Sequence, residues 1–479
     1  MDRGMMAADP KERLRLILTE EEADAIFAQG REAVIFHLLN LSKRLQELES
    51  KSSSRSASTP SGMIPPYEKP CGKKRRRKPG RKAGHPGCRR AGPPKIDRKE
   101  EHRLVCCPHC QNPLDPNKPV RRRSRIVEDL TESEPEVVEH AIWGSWCPVC
   151  KKIVEPVVQD ALPNATVGHQ AVALTSWLHY GLGITLSQIV EVLDFHLHFP
   201  VSPGGLVQMW YRIQAIFHEW YDAIATQALE SVYLHGDETG WRVNGNTHWL
   251  WCFTNEDLTY YLIDRSRGSP ALKRFFGEEF KGCLITDFWK AYDLIRTTAR
   301  QYCLAHLLRE IHEVDERNQS GEWIRFSKRL RRLLADALRL AARRENLGEE
   351  KYQSKNRRFD QRIEELVLHN GAKDPDVNRL SKRLIERMDG LFTFLDHPEV
   401  AATNNRAERE IRPAVIIRKN SLQNRSEKGA ECQAVFMSIY RTLKRRGYDP
   451  IQTMVEALRT YVREGTLPPM PDAKERAPP

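Results

Sequence analysis

Asp237 in HGDETGW and Asp287 in LITDFW each follow an apolar run, and Glu408 in TNNRAEREIRP stands among arginines. Carboxylates at the ends of neighbouring strands can share divalent cations, and hard oxygen ligands of this kind suit Mg²⁺ or Mn²⁺. Two such ions clamp the attacking and leaving oxygens of an in-line phosphoryl transfer. Taken singly, Asp237, Asp264 and Asp287 read as cap or turn residues, so it is the pairing of Asp237 with Asp287 that points to metal. Glu408 has two readings. Asn405 followed three residues later by Glu408 is a capping box, with Arg412 one turn on as an ion-pair partner. Against this, Arg406, Arg409 and Arg412 form a basic strip beside Glu408, and Arg418 and Lys419 follow Pro413, which is expected to end or bend the helix. An acid beside several bases, with asparagine donors just upstream, is what a metal-bound phosphodiester strand needs.

A second set of ligands is softer. Cys107-Pro-His-Cys110 and Cys147-Pro-Val-Cys150 are separated by 36 residues. Two such knuckles present four thiolates, which close a tetrahedral Zn²⁺ site and leave no position for water, so the expected role is structural. Cys106 reads as a bystander. Eleven cysteines in all, an odd number, favour metal ligands and free thiols over a disulfide framework.

The formal charge is +12, and its placement matters more than its size. Residues 51 to 103 hold 17 Lys and Arg against 4 Asp and Glu, so the rest of the chain is close to neutral. Ser, Pro and Gly dominate this stretch, which cannot bury a core and reads as a disordered linker ending in a basic arm. Lys73, Lys74, Arg75, Arg76, Arg77, Lys78, Arg81 and Lys82 are its DNA-binding candidates, as phosphate neutralisers first and minor-groove readers second. No run approaches a membrane span or a signal peptide, so a chain that stays where it is made, with no membrane partner, is expected.

The elements that must position these groups follow from periodicity. Val34, Leu38, Leu41, Leu45 and Leu48 form a short heptad seam suited equally to self-packing or a dimer zipper. Residues 167 to 230 read as helices, with a Gly/Pro turn that suits a helix-turn-helix. VYLHGDETGWRV and THWLWCFTN flank Asn244-Gly245 and predict a hairpin, with TYYLIDRS as a third strand. SPALKRFFGEEF predicts a helix, GCLITDFW a buried strand closed by Asp287, and KAYDLIRTTA another helix. By analogy that order is ribonuclease-H-like, with the strands carrying Asp237 and Asp287 as neighbours. The 120 residues between Asp287 and Glu408 exceed what such a fold requires, and about 323–395 reads as a helical insertion. Cys303 and His306 read as a packed Cys and a His near the phosphate path, or alternatively as a metal pair.

Together HGDETGW, TDFWKAYD, QYCLAHLLREI, TNNRAEREIRP and IRKNSL resemble the transposases of the insertion sequence 66 family. The twin knuckles, basic arm and zipper-like helix match that family's layout, and NNRAER is the most specific block. The arm lacks the family's glutamine-rich look, and SLQN replaces a more apolar segment. The resemblance implies a DDE (Asp, Asp, Glu) triad on Asp237, Asp287 and Glu408, with Mg²⁺ or Mn²⁺ as cofactor and structural Zn²⁺ elsewhere. It implies cleavage and strand transfer at the ends of a bacterial insertion sequence, on double-stranded DNA of both ends and target. A homodimer or higher oligomer on DNA, accessory proteins of the element and a cytoplasmic, nucleoid-associated location are further implications. Glu410 does not align with the family glutamate and is expected at the surface. Arg406, Arg409, Arg412, Arg418 and Lys419 complete the DNA-binding set.

The expected architecture is therefore α+β and multidomain: a helical segment at 1–50, the arm at 51–100, a zinc ribbon at 101–160 and a helix-turn-helix-like domain at 161–230. A ribonuclease-H-like mixed α/β catalytic core with its insertion spans 231–440, and a C-terminal helix and tail span 441–479. Two rival functions remain open at this point, a catalytically inactive zinc-containing DNA-binding protein and a metal-dependent nuclease.

Overall fold

The computed structural model describes residues 134–474, apart from 369–372 and 423, with short stretches between 24 and 113. The arm residues Lys73 to Lys82, the zinc candidate Cys107 and the seam positions Leu41, Leu45 and Leu48 lie outside the described residues. Of the seam, Val34 and Leu38 are described and helical.

Two short strands, β1 (Ser145–Cys147) and β2 (Lys152–Val154), form an antiparallel hairpin. Helices α1 (His169–Ser176), α2 (Leu186–Leu197) and α3 (Pro203–Leu229) follow. A five-stranded sheet comes next, from β3 (Tyr233–Val243), β4 (Asn246–Thr254), β5 (Thr259–Asp264), β6 (Glu279–Thr286) and β7 (Arg296–Tyr302), with α4 (Ser269–Phe276) between β5 and β6. The sheet order is β5-β4-β3-β6-β7. β3, β4 and β5 are antiparallel neighbours, and β6 and β7 run parallel to β3. The β3–β4 turn is the expected Asn244-Gly245 pair, with φ of 46° and 76°, a conformation that this dipeptide adopts at little cost.

Two local expectations need correction. KAYDLIRTTA is no helix: a 3₁₀ turn at Tyr292–Leu294 leads directly into β7. The β-branched Ile295, Thr297 and Thr298 favour extended chain, and β7 gains a parallel partner in β6 while burying Gln301 and Tyr302. Asp237 does not sit at a strand exit either. Pairing with β4 carries β3 past it to Val243.

Both faces of the sheet are covered. On one, Leu234, Trp251 and Leu284 pack with Trp210 and Phe217 of α3, and with the helices α11 (Glu427–Arg445) and α12 (Pro450–Glu464). The expected boundaries at 230 and 440 thus fall within one continuous core. The cause is visible in α3, where Leu206, Trp210, Ile213, Phe217, Trp220 and Ile224 recur at helical spacing and are buried, making it a core helix along most of its length. On the other face, Trp241, Val243, Leu250 and Cys252 pack under Ile411, Ala414 and Ile417 of α10 (Asn405–Ser421). The same side of β6 and β7 meets α5 (Leu304–Arg317) and the helical insertion, α6 (Gly321–Ala341), α7 (Glu349–Leu368), α8 (Pro375–Glu386) and α9 (Thr393–Asp396). Pro413 does not end α10, which runs on to Ser421. Among the described residues no helix is long and apolar enough to cross a membrane.

Candidate active site

Strand period decides which way the carboxylates face. Alternate residues of β3 share a side, so Asp237 lies on the side of Trp241 and Val243, the side covered by α10. β3 and β6 pair in parallel up to His235 and Ile285. Continuing that register brings Asp237 beside Asp287, the residue immediately after β6. Asp287 is buried and accepts from the backbone N–H of Trp289 at 2.9 Å. Asp237 is half-buried and accepts from the N–H of Glu238 at 2.9 Å.

The third carboxylate arrives on α10, which is tied to β3 at its first turn. Asn404 caps the helix without a side-chain capping bond. Its Nδ2 instead donates to the Gly236 carbonyl at 2.7 Å, its Oδ1 lies 3.1 Å from His235 Nδ1, and its backbone N–H donates to Cys303 Sγ at 3.0 Å. The Asn405–Glu408 capping box does not form, because Asn405 is already helical and the cap residue spends its side chain on β3. Glu408 is left facing His306 Nε2 at 3.6 Å and Arg309 at 3.9 Å, distances too long for hydrogen bonds. Its Oε1 is buried with no hydrogen-bond partner.

The electrostatics match this crowding. Burial, then the neighbouring carboxylates Glu238, Asp287 and Glu408, push Asp237 well above the usual carboxylate range. Burial and Glu238 push Asp287 up to about 7. Burial and Arg309 hold His306 below its ordinary value despite the nearby Glu408. The donor set of Asp237, Asp287 and Glu408 is all hard oxygen, and one oxygen is orphaned, which fits a divalent cation. Among the described residues no three His, Cys, Asp or Glu side chains converge as a closed ligand set.

Behind the acids lies a network that the motif reading missed. Buried Glu238 accepts from Arg267 Nε at 3.2 Å and from the Tyr292 hydroxyl at 2.7 Å. Arg267 is stacked between Trp249 and Trp289, at 4.6 and 4.2 Å from the ring centroids. Trp289 in turn holds Asp287. Only the acidic neighbour in GDETGW hinted at this arrangement.

Glu410 is not at the surface. It is 7% exposed and bonds Arg441 Nε at 2.7 Å and Arg445 at 2.6 Å. Burial opposes its ionisation, but those two guanidiniums hold it below the usual range. The surface expectation failed because both partners lie over 30 residues downstream. Of the basic strip, Arg409, Arg412 and Lys419 are exposed. Arg406 binds Glu256 at 3.1 Å, while Arg418 turns inward to the Gly240 carbonyl and the Thr239 hydroxyl. Cys303 is buried at the start of α5, where its Sγ accepts from the Asn404 N–H.

In the hairpin region, the Cys150 N–H approaches Cys147 Sγ at 3.4 Å, and backbone donors from Cys150 and Val149 lower the Cys147 thiol below its ordinary value. Gln111 and Lys151, each the residue after a knuckle's second cysteine, both have positive φ, of 63° and 51°. Cys106 bridges Pro113 across the first turn. The residue after each knuckle thus shares the same left-handed backbone conformation.

Asp237 within β3, Asp287 just after β6 and Glu408 on α10 thus lie toward one side of the sheet, with exposed arginines on the same helix as Glu408. A family model described as Transposase IS66 family matches residues 164–432, more than half of the 479-residue chain, and the chain belongs to that family. It is also similar to three proteins of Sinorhizobium fredii. The uncharacterized protein y4hP is 23% identical over 70% of this chain and 68% of its own length. The uncharacterized protein y4qI is 26% identical over 45% and 44%, and y4jD 24% identical over 43% and 42%.

Proposed function

We propose that this transposase cleaves DNA phosphodiester bonds and joins the ends of its element to target DNA, with Asp237, Asp287 and Glu408 as its catalytic carboxylates. The observation that carries the reading is the buried Oε1 of Glu408, which accepts no hydrogen bond, on a helix held by the Asn404 anchor to the side of the sheet that Asp237 and Asp287 share. Mg²⁺ or Mn²⁺ bound by these three groups would supply charge stabilisation for the in-line transfer. The chain's own share is to hold the acids in place through Asn404, Trp289 and the Glu238–Arg267 pair, and to receive the strand on Arg409, Arg412 and Lys419. The sheet order β5-β4-β3-β6-β7 supports a ribonuclease-H-like core. The paired CPxC spacing and the positive φ after each pair, at Gln111 and Lys151, support a zinc ribbon closed by Cys107, Cys110, Cys147 and Cys150. The basic arm would neutralise phosphates nonspecifically, and an oligomer on DNA would bring two element ends together.

The test is a strand-joining assay with element-end DNA and Mg²⁺. Asp237→Asn, Asp287→Asn and Glu408→Gln should each abolish cleavage and joining, and pairs should add little, because groups acting as a unit are not additive. DNA binding should be retained. A Glu408→Gln protein that still cuts and joins would remove Glu408 from the site. Metal analysis of the same preparations should find about one Zn²⁺ per chain, lost on Cys147→Ser.

A further inference from the structure

Two residues beyond Glu408, about 200° around α10, a second site faces away from the carboxylates. A cavity of about 340 Å³ is lined by Arg406, Arg409 and Glu410 of α10 and by Arg441, Lys444 and Arg445 of α11. Five cations surround one carboxylate, with no apolar side chain among them, so an apolar ligand is excluded. Some of these charges are already spent. Glu410 takes one nitrogen from Arg441 and one from Arg445, Arg445 also bonds the Thr259 hydroxyl at 2.9 Å, and Arg406 is paired with Glu256. Three of the five keep unused donors. Arg441 uses only Nε, Arg409 only its Nε on the Asn405 carbonyl at 3.2 Å, and Lys444 is exposed. Among the described residues the terminal nitrogens of Arg441, Arg409 and Lys444 have no protein acceptor.

We propose that this pocket binds a phosphodiester of the DNA strand away from the scissile bond, with Glu410 as the anchor that fixes the Arg441 fork toward it. A guanidinium held by Nε presents its two terminal nitrogens in a set plane, the geometry that suits phosphate oxygens. A polymeric anion fits better than a free one because the charge continues along the same helix through exposed Arg412 and Lys419. The site deepens the reading above, since it would hold the strand that Glu408 acts on.

The experiment measures binding of the full chain to a mixed-sequence duplex, without Mg²⁺, by fluorescence anisotropy over a salt series. Arg409→Ala with Lys444→Ala should weaken binding about tenfold for every sequence and reduce the slope of log affinity against log salt by about two. Lys444→Glu alone should weaken it further than Lys444→Ala. Both residues are exposed, so the fold should persist, which circular dichroism checks. An unchanged slope overturns the proposal. So does a pocket that serves free phosphate: pyrophosphate would then raise the melting temperature of the parent chain but not of the double variant, with DNA binding equal in both. Failure of the catalytic reading is distinguishable, because an active Glu408→Gln protein would sink that reading while leaving the salt slopes as they stand.

Discussion

Glu408 and Glu410 sit two residues apart on α10, and their surroundings differ in kind. Glu410 is saturated, with each oxygen taking a guanidinium nitrogen from α11. Glu408 has a buried oxygen that accepts no hydrogen bond, with His306 and Arg309 held off at 3.6 and 3.9 Å and the carboxylate of Asp237 in its field. A folded protein pairs its buried charges unless something else is meant to pair them. The saturated glutamate therefore reads as structure and the starved one as a ligand, although the sequence motif presents them as near equals.

The largest effect that would sharpen this contrast is on stability. Glu410→Ala leaves Arg441 and Arg445 without their buried partner, and breaking such a pair costs about 3–5 kcal/mol. Glu408→Gln should leave chemical denaturation nearly unchanged, or stabilise the fold slightly by removing a like charge. Equal losses for the two variants in urea titrations would mean that Glu408 is also a structural partner.

A second test uses pH. An acid whose folded value lies above its unfolded value binds protons more tightly in the fold. Its stabilising share is therefore complete below the unfolded value and declines as pH rises to the folded one. For Asp287 that window runs from 3.8 to about 7. With Mg²⁺ absent, stability should fall across it by up to about 1.4 kcal/mol per pH unit for each proton released. Asp287→Asn should flatten the fall, and adding Mg²⁺ above pH 7 should recover stability, because a cation binding only the folded state shifts the equilibrium toward it. A profile that neither Asp287→Asn nor Mg²⁺ alters would separate these acids from metal binding.

Much of this was legible beforehand for physical reasons. Asn244-Gly245 announced the hairpin, because few other pairs accept two positive φ angles. The apolar runs ending near Asp237 and Asp287 announced adjacent buried strands. β7 was missed because alternation in RTTARQY is weak and its burial comes from β6 and the insertion, not from its own pattern. Glu410 was misread because it was assigned to the surface only for not aligning with the family glutamate, whereas its partners lie on α11, out of reach of any local pattern. Glu238 was overlooked because one of two adjacent acids on a strand must face the opposite core, and nothing local says that Arg267 waits there.

The smallest predicted effect concerns how the two halves of the site are kept in register. Asn404 is 1% exposed and joins the first turn of α10 to β3 one residue before Asp237. Asn404→Ala removes the buried donor to the Gly236 carbonyl, a loss of about 1–3 kcal/mol. Stability alone would not identify a positioning role. If Asn404 sets where Glu408 stands relative to Asp237, its loss should displace the carboxylate, and a misplacement near 1 Å costs on the order of 10²-fold in rate. Below the melting transition Asn404→Ala should therefore join ends more slowly and need more Mg²⁺ to reach half of its maximal rate, whereas a residue that only stabilised the fold would lower the melting temperature and leave the Mg²⁺ requirement where it was. A parent-like Mg²⁺ titration in a less stable Asn404→Ala protein would assign Asn404 to the fold and leave the alignment of the acids to Trp289 and the Glu238–Arg267 pair.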